Sequence, residues 1–267
     1  MILYRPVGLQ ELELIYDSSM KAFPTRLPKQ PIFYPVLKLE YARKTASGWN
    51  AKKAESAGYV TEFKIEEEYI SQFERHTIGK SQHQELWIPT EQMEEFNKHI
   101  LGHIKVVEAH FGDAFEGFIP EQFGLKGKNA VEQFTLLANS YLYKRMEFYL
   151  ENKRNHKAVF LNYPFWQTYD FKNPGLKDKV LQAIKEAWLT SFPQIPLPNP
   201  VQKEIKPAEQ PAAQPPAKPV QKGTRPSKPT HAPTQPLIHP VHQDIPPVRP
   251  TQAEYSTDPV DDDATPE

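Results

Sequence analysis

Three residues far apart in this chain could serve one piece of chemistry. Arg5 stands in LYRPV, Tyr34 in IFYPV and Glu85 in ELWIP. A guanidinium is always charged, and its fork of donors suits a pyrophosphate. An aromatic face stacks on a flat heteroaromatic ring. A glutamate accepts a hydrogen bond from a ribose hydroxyl and stabilises an oxocarbenium-like centre beside it. Together these are the parts needed to hold NAD and break its nicotinamide–ribose bond. Glu85 is the expected catalytic residue, with Arg5 and Tyr34 as cofactor contacts. Arg26, in the loop FPTRLP, is a further candidate for a phosphate. His83, a further candidate cofactor contact, lies two residues before Glu85, so on a strand it shares that residue's face. The reading has a geometric condition: Arg5, Tyr34 and Glu85 must line one pocket, not opposite sides of a sheet.

Other chemistries lack their parts. The chain has no cysteine. Disulfides, thiolate nucleophiles and cysteine-based zinc sites are thereby excluded. Nine histidines are present, but none stands in an H-E-x-x-H spacing. His76 and His83 could share a sheet edge, with no carboxylate cluster to complete a ligand set. His99 and His103 are four apart across an expected helix-to-strand break. No metal site is expected. The glycine-rich phosphate loops and the G-x-S-x-G elbow are absent.

The elements that must position these residues follow from periodicity. Ile2 to Pro6 reads as a strand, and Leu9, Leu12 and Ile15 then fall at helical spacing. IFYPV is a second strand and KLEYARKTASGW a second helix. In GYVTEFKI, Val60, Glu62 and Lys64 alternate with Tyr59, Thr61, Phe63 and Ile65, as in a half-buried strand. YISQFERHTI, QELWI and HIKVVEAHF are three more strands. TEQMEEFNKHI is a helix with Thr90 as its N-cap. The order β-α-β-α-β-β-β-α-β predicts an α+β domain over residues 1–112. Residues 113–193 predict a helical extension. It has one long helix through AVEQFTLLANSYLYKRMEFYLENKRN and another through DFKNPGLKDKVLQAIKEAWLTSF, with Pro174 at its start. The aromatic stretch between them, VFLNYPFWQTYDF, is expected to pack a core or dock onto the first domain. Trp49 and Trp87 are expected in the core. Residues 194–267 hold about two-thirds of the prolines and a single aromatic residue, Tyr255. Such a segment buries too little apolar surface to offset the entropy of ordering, and a disordered tail is expected.

The runs LYRPVGLQELELIYDS, IFYPVLKLEYARK, GYVTEFKI and HQELWIPTEQMEEFNKHI resemble a family of small uncharacterised bacterial proteins. That family carries the label ADP-ribosylation/crystallin J1. The order of parts is also similar to ADP-ribosyltransferase-like folds. There an Arg or His lies on the first strand, a Ser, Thr or Tyr on the second and a Glu on a later one. The resemblance implies an NAD-dependent transferase fold with Arg5, Tyr34 and Glu85 in those places. Two positions depart from the pattern. FYPVL stands where arginine-specific transferases carry Ser-Thr-Ser, and His83 stands where many carry Gln or Glu. The all-helical glycohydrolase half of the label needs paired acidic motifs in a helical core. The aspartate run here, Asp261–Asp263, lies in the tail.

A second function stays open beside the transferase: a non-catalytic interaction module with the same fold as scaffold. Its helical stretch YKRMEFYLENKRNHK would supply a partner surface and its tail a tether. The net charge of −1 gives no reason to propose nucleic acid or an anionic membrane as partner. MILYRPVGLQELELIYD does not read as a signal peptide, and no run reaches the ~18–20 apolar residues of a membrane span. The expectation is a soluble cytoplasmic protein.

Overall fold

The computed structural model describes residues 1–25, 31–48, 50–52, 56–78 and 83–198. The first half carries β1 (Ile2–Val7), α1 (Leu9–Asp17), β2 (Ile32–Phe33), α2 (Leu39–Gly48) and β3 (Ala57–Ile65). It continues with α3 (Glu67–Ile70), β4 (Arg75–Thr77), β5 (Gln84–Leu86), β6 (Ile88–Pro89), α4 (Met93–Lys98) and β7 (Ile100–Phe111). Four helices follow: α5 (Ala130–Tyr143), α6 (Arg145–Arg154), α7 (His156–Thr168) and α8 (Pro174–Ser191). The architecture is mixed α/β with small antiparallel sheets.

β3 is the centre of the main sheet, with β1 and β7 antiparallel on either side. Its alternation predicts one wet face, yet Ala57 to Thr61 is buried throughout. Helices cover both sides there. Tyr59, Phe63 and Ile65 face the main core with Leu3, Val7, Leu12 and Ile15. Val60 faces Ala42 and Ala46 of α2. These two alanines, one turn apart, bring α2 against the strand. The approach is so close that a Cβ on Gly58 would lie 2.1 Å from the Ala46 carbonyl oxygen.

IFYPV does not form a continuous strand. Proline has no N–H to give a ladder, and Pro35 interrupts it. Ile32 and Phe33 pair with Pro89 and Ile88, and pairing resumes as a single bridge from Val36 to Glu85. Val36 also bridges Tyr4, exchanging bonds of 2.9 and 2.8 Å. The segment around Val36 therefore links β1 to β5, and β5 pairs with β4.

YISQFERHTI corrects from one strand to α3, a turn and the short β4. Glu67 and Glu68 occupy the first turn of α3, where carboxylates favour the helix N-terminus. Ile70 is buried there, with Tyr69 and Phe73 packed against the core. Thr90 begins a 3-10 turn and does not cap α4. Asn97 of α4 clamps both the N–H and the carbonyl of Phe23 at 2.9 Å.

The single long helix expected over 130–155 is two helices. Asn129 and Glu132 form a reciprocal capping box at the start of α5. Lys144 leaves helical geometry, with φ −146° and ψ 65°, and α6 begins again at Arg145. The aromatic stretch between the two expected helices, expected to pack a core, is α7, with Pro164 inside it. Nine consecutive residues, Ala158 to Trp166, are buried, so no apolar stripe marked it as a helix. α8 begins at Pro174, as its sequence predicts, with Asn173 capping the Leu176 N–H.

One hydrophobic cluster includes residues of the sheet, such as Leu3 and Phe63, and of the helices, such as Phe160, Trp166 and Trp188. Packing also continues past the expected boundary at 193. Ile195 is buried, and its carbonyl accepts the Trp188 indole N–H at 2.7 Å. The rest of the expected tail, 199–267, lies outside the described residues. Among the described residues no helix is long and apolar enough to cross a membrane.

Candidate functional site

Residues paired directly across an antiparallel ladder share a face, and neighbours along a strand lie on opposite faces. Tyr4, Val36, Glu85 and His76 are consecutive partners across the ladder. They therefore form one row on the face that α2 covers. His83, Trp87 and Tyr34 are each two residues from a member of that row and fall on the same face.

Glu85 is the centre of this group. One carboxylate oxygen accepts the Trp87 indole N–H at 2.9 Å, and the other accepts the Tyr41 hydroxyl at 3.3 Å. Tyr41 comes from the first turn of α2. Burial, and then the charge of Glu85, push its hydroxyl up to about 12. Each of these rings carries a histidine stacked upon it. His83 lies on Tyr41 with centroids 4.4 Å apart and planes 9° from parallel. His76 lies on Trp87 at 4.0 Å and 19°. Tyr34 meets Trp87 at 6.0 Å, nearly perpendicular. Trp87 is 42 % exposed, which corrects its expected place in the core. Trp49 lies outside the described residues.

Arg5 is elsewhere. It neighbours Tyr4 on β1, so it faces the main core with Leu3 and Val7. Its guanidinium grips both carboxylate oxygens of Glu11 in α1, at 3.2 and 3.3 Å. A third donor reaches the backbone carbonyl of Tyr34 at 3.3 Å, and the charge sits 5.0 Å from the Phe33 ring centroid. Only 11 % of the side chain is exposed. The structure thus brings Tyr34, His83 and Glu85 onto one face and puts Arg5 on the other. Arg26 lies outside the described residues.

Sequence reasoning missed Tyr41 and the role of His76. A signal for Tyr41 existed, because it opens the helix that follows IFYPV and its ring can reach back over the sheet. Reasoning also missed a second polar cluster on the α2 side. Arg43 binds both oxygens of Glu108 through Nε, at 3.0 and 2.7 Å. His110 lies 3.6 Å from the same carboxylate. Burial pushes the His110 imidazole below its ordinary value, against the pull of Glu108. Among the described residues no group of three His, Cys, Asp or Glu could hold a metal ion.

No family model, curated protein or solved structure matches this chain.

Proposed function

We propose that this chain is a non-catalytic interaction module that engages a protein partner through its helical half. One observation carries the proposal: the junction of α5 and α6 displays a cluster of large apolar side chains. Tyr143 is 81 % exposed and Met146 73 %, with Leu142, Tyr149 and Leu150 exposed beside them. Patches of this kind on a folded surface mark interaction sites. The buried side of α6 is served by Phe148 and Asn152, so the outward residues are surplus to its own packing. Lys153 and Arg154 border the cluster and are exposed.

The transferase reading lacks equivalent support. It needs the phosphate-binding cation and the ribose-binding carboxylate in one cleft, and Arg5 and Glu85 face opposite sides of the sheet.

The test uses a photo-reactive phenylalanine placed at 143 or at 146 in cells. Both positions should give the same discrete adduct. The exposed Lys126 position should not, and excess untagged wild type should compete where a Tyr143→Asp/Met146→Asp variant does not. The absence of a shared adduct would overturn the proposal. Calorimetry with NAD should give no heat. Heat abolished by Glu85→Gln would restore the transferase reading.

A further inference from the structure

The group around Glu85 has a chemistry that the helical surface does not share. It is a carboxylate set among flat rings on a partly open sheet face, with Glu74 3.9 Å from the His76 ring nitrogen. Among the described residues, no lysine or arginine forms an ion pair with Glu85. Arg43 of α2 is held by Glu108. Glu62 lies beside Tyr4 on the same row but faces Lys105 across the ladder. Among the described residues, Glu85 is thus a carboxylate paired with no lysine or arginine and fixed in place by two ring donors.

We infer that this face is a recognition site for the side chain of an arginine on a partner protein. Each carboxylate oxygen accepts one bond from Trp87 or Tyr41 and keeps further acceptor capacity. A guanidinium can use that capacity while it lies flat on a ring. Two pairs of rings here are flat, parallel layers, His76 on Trp87 and His83 on Tyr41, with Tyr34 standing nearly perpendicular to Trp87. Layers of this kind extend naturally by one more planar group. A lysine ammonium is a compact point charge that gains little from a flat stack. The partial exposure of Trp87 leaves indole surface for the incoming group. Glu40 and Glu62 add to the negative field there: the Tyr4 hydroxyl is raised by burial and then by these two carboxylates.

The site is independent of the α5–α6 surface, so either can fail alone. The experiment titrates a glycine–serine peptide carrying one arginine into the full chain. The readout is the indole N–H signal of Trp87, assigned by its loss in Trp87→Phe. The arginine peptide should move that signal saturably. Its citrulline counterpart, of the same shape without the charge, should bind about tenfold or more weakly, the loss of one charge-assisted contact. Glu85→Gln should weaken the arginine peptide by a similar factor. The indole signals of the buried Trp166 and Trp188 should stay in place in that variant and report that it is folded. Equal response to arginine and citrulline would overturn the inference. So would unchanged affinity in a folded Glu85→Gln protein, or no response to the arginine peptide at millimolar concentration.

Discussion

Arg5 is an anchor among three segments. Its guanidinium ties β1 to α1 through Glu11 and to the chain at Tyr34 through a carbonyl. Removing one partner of a largely buried, hydrogen-bonded pair leaves the other charge poorly solvated. Arg5→Ala is therefore expected to destabilise the protein by about 2 kcal/mol, read as a lower urea midpoint at unchanged slope. The same variant should leave the response of the Trp87 indole to the arginine peptide unaltered, because the two residues occupy opposite faces. A loss of that response in a folded Arg5→Ala protein would contradict the assignment of faces. Nothing in LYRPV distinguishes a phosphate-binding arginine from a structural one. The residue type is the same, and the difference lies in Glu11, in the first turn of α1, arriving on the same side.

At the level of elements, α2 decides the site. It lies flat on β3 because Ala42 and Ala46 are small and Gly58 has no side chain. That close approach sets Tyr41 over the sheet and within reach of Glu85. Gly58→Ala would drive a methyl into the Ala46 carbonyl and force the helix outward. Overpacking of this kind costs about 3 kcal/mol, to be measured by urea unfolding. The Tyr41 to Glu85 bond should weaken with it, visible as a moved Trp87 indole signal. An alanine that changed neither would remove the argument that this contact positions the site. The expected elements that failed did so for local reasons. Pro35 broke the strand that carries Tyr34, and the acidic run Glu66–Glu68 favoured the start of a helix over a strand. α7 is buried on every side, so it left no amphipathic period to read.

Across the described residues, sheet and helices share the main core. Tyr16 of α1 packs on Phe160 of α7 with centroids 4.6 Å apart and bonds His156 at 2.7 Å. The Tyr59 hydroxyl reaches the Leu161 carbonyl at 3.4 Å. A protein with one continuous core unfolds as one cooperative unit. A fragment of residues 1–198 should therefore melt in a single transition close to that of the full chain. A fragment of residues 1–112 should show no cooperative transition, since it would expose the face that α7 covers. Cooperative melting of the short fragment would establish it as an independent domain. Composition alone marked the change of character near residue 193, because proline density and missing aromatics are properties of the chain itself. Periodicity was enough for β1, α1, β7, α5 at its start and α8, where one face is buried and the other is wet, and for β3 although Ala57 to Thr61 is covered on both faces. It was enough, too, to place His83 and Glu85 on a common face. The side of the sheet that Arg5 would occupy, the arrival of Tyr41 over Glu85, and the stacking of His76 on Trp87 were decided by tertiary structure alone. Each depends on the register between segments distant in sequence, and a shift of one residue in any strand would have exchanged the faces.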